Sequence, residues 1–546
     1  MKSLAPKFKQ TGELLHHILD LPELPAIVEH LDSGVLTKLI RHIGLEESAQ
    51  IVSLATTEQL KAVLDEDLWR SEIPGRDEMF DAERFSLWLE IMMENGSTFA
   101  ARKIRELDED LLVLGLCRLV LVVGNHDPAL LFDDDWEPDN GSVLEKVLDG
   151  SLNQEFGDYL VIAKRESNWD TVCALMTELD ESDYDMLVHL LDRCRSICGE
   201  YIEDNGGLYH VLTADEMLEE DVSSERRERR EGRGFVTPTS AAVFLNQIRS
   251  TTLQEIVAAK TVDAVTRAYF RASEAGRESF VNHRTADKAS ENGTPVSTDL
   301  SVVRFIQTRR DAEVLPPSDR RMIGFDGEET GGHSVPLAEA IRSIDKTDPD
   351  LCSQRLKELS YLSNTLIAGC GFQGCAFQPK EAAEAALAVC NLGSEYLLKA
   401  GLEPEGNEPI DSVTALLKER HLVTLFQIGW KMLFEDVVLH TAKAVLLFIH
   451  HLKDRIKHTE HTNEITRMSN LLRFYILSGR PWEFADHVDY LQIFLDGETT
   501  MAIEGLLREY PTLSKVICKR GEHRVSPFIW SQGHIRTVQR FLKDEL

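Results

Sequence analysis

The side chains best able to do chemistry crowd late in the chain. Between residues 421 and 461 stand His440, His450, His451, His458 and His461, with Asp454, Glu460 and Glu464 close by. His458 and His461 lie three apart, so on a helix both imidazoles share a face, and Asp454 or Glu464 could complete a zinc site. Neither H-E-x-x-H nor a pair of E-x-x-H segments accompanies them, so surface or partly buried helical histidines are expected. Gly369, Gly371 and Gly374 in GCGFQG follow G-x-G-x-x-G, a spacing that lets backbone amides approach a pyrophosphate at a helix start. Pro379 delays the next helix, and a further helical run follows in place of a second strand with a ribose-binding acid. A tight helix-to-helix loop is the expectation. Cys194/Cys198 and Cys370/Cys375 lack the doubled C-x-x-C spacing of structural zinc sites and are read as core residues. No G-x-S-x-G nucleophile elbow and no Walker-type phosphate loop occurs.

Residues 124–127 read GNHD, directly after the apolar run LVLVV. This local form resembles that of calcineurin-like metallophosphoesterases, a resemblance that implies a metal-binding Asn125 and a catalytic His126. Two-metal hydrolysis needs further carboxylate and histidine ligands around a shared oxygen. No upstream D-x-H, no G-D-x-x-D and no downstream G-H-x-H is present, so a polar turn closing an apolar helix or strand is expected. Arg226, Arg227, Arg229, Arg230 and Arg233 form a basic run, interrupted by Glu225, Glu228 and Glu231. It reads as a solvated helix steadied by neighbouring opposite charges. The acidic stretch 133–139 misses the calcium-loop register, and since no entry signal is expected, the final KDEL (543–546) is read as a chance match to a retrieval address.

Composition narrows the classes. Lysine and arginine total 59 against 92 acidic residues, a net charge of −33 that disfavours nucleic acid and anionic lipid as partners. Nine cysteines without a dense framework suit free thiols in a reducing compartment. The opening MKSLAPKFKQTGELLHH has no continuous apolar region, so no secretory signal is expected, and a cytoplasmic location follows. The longest apolar stretch, 111–124, is too short for a membrane span and carries Arg118, which predicts a buried helix.

The elements around these residues are helical. Residues 24–69 break into four short amphipathic segments; in the second, Val35, Leu36, Leu39, Ile40 and Ile43 share a face. Asp32 and Ser33 can cap that helix, Thr56 and Gln59 have capping-box spacing, Leu60, Val63, Leu64 and Leu68 form another stripe, and Trp69 is expected to pack between units. Leu175, Met176, Leu179 and Asp180 echo Ile27, Val28, Leu31 and Asp32, and residues 493–496 echo them more loosely. The predicted fold is mostly all-α: stacked short helical hairpins, a degenerate solenoid. Its blocks are 1–131, 143–282, a polar linker or mobile loop at 283–335, and a C-terminal helical block at 336–546.

The segments LEESAQIVSLATTEQLKAVLDEDLW, RRERREGRGFVTPTSAAVFL, LAVCNLGSEYLL and FQIGWKMLFEDV resemble a bacterial domain-of-unknown-function family over most of the chain. The first block is also similar to the cytosolic helical amino-terminal domain of bacterial magnesium transporters. These resemblances imply a helical architecture in a bacterial cytoplasm and bring no site residue. The functional expectation is an interaction or scaffold protein with a protein partner, without catalytic residues, cofactor or metal. Two alternatives stand beside it: a metal-dependent hydrolase with an atypical site near His126 or His458/His461, and a divalent-cation-responsive regulatory module.

Overall fold

The computed structural model describes residues 24–71, 78–124, 151–199, 214–259, 261–272, 335–401, 409–455, 462–518 and 526–546. These are mostly helical, as expected, with a few short strands. The chain divides into two compact units. Unit 1 comprises Met1–Arg70, Glu78–Arg229 and Arg284–Pro317; unit 2 comprises Ser71–Asp77, Arg230–His283 and Ser318–Leu546. The division thus falls inside the 143–282 block, within a single helix. Residues 283–334 of the expected linker lie outside the described residues.

Unit 1 opens with the four expected helices: α1 (Leu24–His30), α2 (Ser33–Ile43), α3 (Ala49–Leu54) and α4 (Thr57–Asp67). Asp32 caps α2 by accepting the Gly34 N–H, and Thr56 and Gln59 form the reciprocal capping box of α4. Gln59 does more than close its own helix. Its amide nitrogen donates to the carbonyls of Val28 and Leu31, both at 2.7 Å, joining the Leu31 N–H on the first and capping the second where α1 ends. Neither helix buries its face alone; a shared glutamine locks their register.

A two-stranded ribbon, β1 (Trp69–Arg70) and β2 (Met79–Phe80), leads into α5 (Ala82–Glu94), α6 (Ser97–Glu106) and α7 (Glu109–Leu119). The run 111–124, expected as one buried helix, is helical only to Leu119. From there it is strand β3 (Val120–Gly124), paired antiparallel with β5 (Tyr159–Ala163), which also pairs with β4 (Asn153–Phe156). Short apolar runs carry no period to separate strand from helix, and the valines favour the pleat. Val120, Val122 and Val161 join the main core, while Val123, Leu160 and Ile162 gather on the opposite face of the sheet. Helices α8 (Trp169–Ser182), α9 (Tyr184–Gly199) and α10 (Ala214–Gly232) follow.

Unit 2 contains α11 (Pro238–Ser250), α12 (Leu253–Ala258), α13 (Pro336–Thr347), α14 (Pro349–Gly369), the hairpin β6 (Gly371–Phe372) and β7 (Cys375–Ala376), and α15 (Pro379–Lys399). Then come α16 (Pro409–Glu419), α17 (Leu422–Met432), a π-helical segment Leu433–Leu439, α18 (His440–Arg455) and α19 (Thr462–Leu477). A 3-10 helix Pro481–Ile493, α20 (Gly497–Leu507) and α21 (Gln532–Glu545) end it. Five of these α-helices begin with proline, whose missing N–H costs nothing in the first turn.

The centre of unit 2 is the crossing of α15 and α17. A Cβ on Gly393 would sit 2.0 Å from the Leu425 carbonyl oxygen, and one on Gly429 would sit 2.0 Å from that of Val389. Each glycine therefore receives the backbone lying four residues ahead of the other. Around the crossing, Phe426 stacks on Trp430 at 5.7 Å, and Trp430 continues to Tyr510 at 6.0 Å. Such ring pairs contribute about 0.5–1.5 kcal/mol each beyond buried area.

Candidate functional site

Most motifs singled out for chemistry resolve into structural roles or fall outside the described residues. Asn125, His126 and Asp127, the acidic stretch 133–139, and His458 and His461 all fall outside them. Among the described residues no group of three or more His, Cys, Asp and Glu side chains is placed to hold a metal. In GCGFQG, a Cβ on Gly369 would lie 2.6 Å from that of Ala241, so this glycine lets α14 close on α11. Gln373 and Gly374, with φ of 52° and 83°, form the two-residue turn of the β6–β7 hairpin. The segment joins two helices as expected, and its glycines serve packing and a turn. Cys194 and Cys370 are buried, whereas Cys375 is exposed and departs from the expected core role.

The arginine run is not a freely solvated helix. Arg226 is buried: its guanidinium lies 4.8 Å over the Trp69 ring, pairs with Glu78 and donates to the Asp65 carbonyl. Trp69 in turn meets Phe80 edge-on. Arg229 binds Asp65 through two nitrogens, at 3.1 and 2.8 Å. Burial opposes the Arg229 cation, yet Asp65, Asp108 and Glu225 together hold its pKa above the ordinary arginine value. Arg226 and Arg229 are thus engaged within unit 1.

The arrangement closest to a catalytic one joins α14 to the start of α17. Glu358 Oε1 accepts from Arg355 Nη1 and from His421 Nδ1, each at 2.7 Å, and Oε2 accepts the Leu422 N–H, also at 2.7 Å. Arg355 donates its Nε to the Leu417 carbonyl at 2.9 Å. A carboxylate on Nδ1 fixes the tautomer that leaves Nε2 as the basic nitrogen, the orientation used by catalytic and metal-binding histidines. No nucleophile meets His421 Nε2 among the described contacts, and the neighbouring Cys390 is fully buried with its thiol pKa pushed up by that burial. The cluster satisfies a helix start and a helix end with one buried ion pair.

A different feature distinguishes α18 and α19, which pack against each other. On α18, Ala442, Val445 and Ile449 enter the core, and His440, Lys443, Leu447 and His451 are exposed at spacings of three and four, on the opposite side. On α19, Ile465, Met468 and Leu472 are buried, while Arg467, Asn470, Phe474 and Leu477 form the outer stripe. Phe474 is 58% exposed, Leu477 81% and Leu447 60%. The apolar strip continues onto the 3-10 helix: Phe474 contacts Tyr475, and Tyr475 stacks on His487 at 6.4 Å. Residues three apart eclipse on a 3-10 helix, so His487, Tyr490 and Ile493 share a ridge, with Ala485, Val488 and Leu491 turned inward. The histidines behave as expected of helical surface residues here: His440 and His451 are exposed, and half-buried His450 meets Ser469 at 3.0 Å. Sequence reading passed over this face because its few apolar residues fit a helical stripe; only the burial of the other face shows them to be surplus.

The described residues thus define a mostly helical protein of two compact units, with no helix among them long and apolar enough to cross a membrane. The family comparison places part of it: the model of a family of unknown function, DUF6178, matches residues 9–206. The match bears out the likeness to a domain-of-unknown-function family, over a shorter span than the dispersed cues implied. No curated protein and no solved structure matches the chain. The similarity to magnesium transporters therefore gains no support, and the α18–α19 face lies beyond the family match.

Proposed function

We propose that this chain is an intracellular interaction or scaffold protein that docks a partner protein through the outer face of α18 and α19. The observation that carries the reading is the exposure of Phe474 and Leu477 on a helix whose other side is already committed to the core. Apolar side chains exposed together and rimmed by polar ones mark recognition surfaces. Stacked helices offer extended surfaces of this kind, and such interfaces concentrate affinity in a few aromatic and arginine anchors.

The test compares full-length chain with the Phe474→Ser/Leu477→Ser variant as paired baits in native lysate, with mass spectrometry and circular dichroism on both. Both substitutions lie at exposed positions, so the variant keeps its helical signal. A partner retained by the parent and lost from the folded variant supports docking here. Identical partner sets would end this reading of the face.

A further inference from the structure

We propose that the occupant of the α18–α19 face is an acidic protein segment that carries aromatic or aliphatic anchors; this rests on the interaction reading above. The chain as a whole has 92 acidic residues to 59 basic ones, yet residues 440–480 invert that balance. They hold Lys443, Lys453, Arg455, Lys457, Arg467, Arg473 and Arg480 against Asp454, Glu460 and Glu464.

Many arginines elsewhere are engaged: Arg193 with Glu109 and Asp110, Arg229 with Asp65, Arg249 with Glu509, Arg355 with Glu358, and Arg508 with Asp486 and Glu504, whereas Arg102, Arg536 and Arg540 form no ion pair among the described residues and stand beside no comparable exposed apolar strip. Lys443, Arg467 and Arg473 form no ion pair among the described residues. Arg467 stands on the same stripe as Phe474 and Leu477, and Arg473 adjoins Phe474. The acidic side chains near the strip are Glu464 at the start of α19 and, on the 3-10 helix, Glu483, Asp486 and Asp489; Glu483 pairs with Arg480 and Asp486 with Arg508.

Unpaired cations beside exposed rings suit a ligand that brings carboxylates and apolar side chains together. Carboxylates meet the guanidinium groups while the anchors cover Phe474, Leu477 and Tyr490. An anionic membrane fits less well. The net charge of −33 repels such a surface at long range, and the outer stripe of α19 offers two apolar side chains where an interfacial helix presents a continuous apolar face.

The experiment uses the full-length chain to select from a displayed library of random peptides of about twelve residues. Recovered peptides are then titrated by fluorescence anisotropy against the parent, Arg467→Glu/Arg473→Glu, and Phe474→Ser/Leu477→Ser. The expected winners are rich in Asp and Glu with Phe, Trp or Leu, bind about tenfold more weakly to either variant, and weaken as salt rises. Winners that need Phe474 and Leu477 but carry no acidic excess and ignore the charge reversal would overturn the acidic assignment and leave the interaction reading standing. No winner sensitive to Phe474 and Leu477 would remove both. Binding of phosphatidylserine vesicles with the same two-variant dependence, and no peptide binding, would replace the protein segment with a lipid surface.

Discussion

Adding one methyl group at Gly429 tests the core of unit 2. The new carbon would lie 2.0 Å from the Val389 carbonyl oxygen and 3.0 Å from Val389 Cγ1. An ordinary carbon–oxygen contact is about 3.3 Å or more, so α15 and α17 must part by ~1 Å. A gap of that size forfeits roughly a quarter to a half of the dispersion energy of each facing atom pair. Overpacking of this kind costs about 3 kcal/mol, and the better helix propensity of alanine returns about 1 kcal/mol, leaving a net loss of ~2 kcal/mol for Gly429→Ala. Gly393→Ala meets the Leu425 oxygen in the same way and has the same cost. Once the helices have parted, the second methyl enters space already opened, so the double variant loses at least about 1 kcal/mol less than the sum. Native-state hydrogen exchange on peptides covering 386–399 and 422–432 reads the opening energy locally, independently of unit 1. A single-variant loss under about 0.5 kcal/mol, or strict additivity in the double variant, would refute the reciprocal backbone contact.

Two further outcomes follow from the same reasoning. Glu358→Gln preserves shape but leaves buried Arg355 without its anion, and should cost about 3 kcal/mol in the exchange stability of 351–362 and 416–425; an effect confined to His421 would contradict it. Asp496, capping α20, is held below the ordinary carboxylate range by the Thr499 backbone N–H. Its folded pKa is depressed, so its contribution is present above the unfolded value and is lost as pH falls through the folded one. Because asparagine caps equally well, Asp496→Asn should melt like the parent at pH 7 and show a shallower loss towards pH 3; parallel melting curves would exclude the carboxylate as a source of acid sensitivity.

Local signals in the sequence were read where chemistry and period agreed. The stripe from Leu36 to Ile43, the Asp32 cap and the Thr56–Gln59 box all appear as expected. The echo at Leu175, Met176 and Leu179 is buried as a helical stripe, but the cap that follows is Asp183, which accepts from Met186, and not Asp180. That displacement shows how a degenerate repeat keeps its apolar register while its polar punctuation drifts. The strand at Val120 was illegible because its partner, β5, lies about forty residues away and pairing is not a local property. The long Gln59 side chain was visible as a cap of its own helix, whereas its service to α1 needed the spatial crossing. The α18–α19 face was hidden for the opposite reason: each helix has an ordinary amphipathic period, and surplus apolar residues become evident only once the core side is assigned.

The π-helical segment Leu433–Leu439 also sets the angular phase of everything after it. Each i→i+5 turn takes in about one residue more than an α turn, so seven such residues rotate the following helix by roughly a third of a turn relative to uninterrupted α-helix. With that offset, Ala442, Val445 and Ile449 point inward and Lys443 and Leu447 outward. Straightened into α-helix, the same sequence would turn the Ala442, Val445 and Ile449 stripe by that same third of a turn, off the core and onto the flank of the helix. The wide turns therefore act as a dial fixed between two rigid rods, and a one-residue deletion within 433–439 would change which side of α18 the solvent meets without altering a single residue of that side.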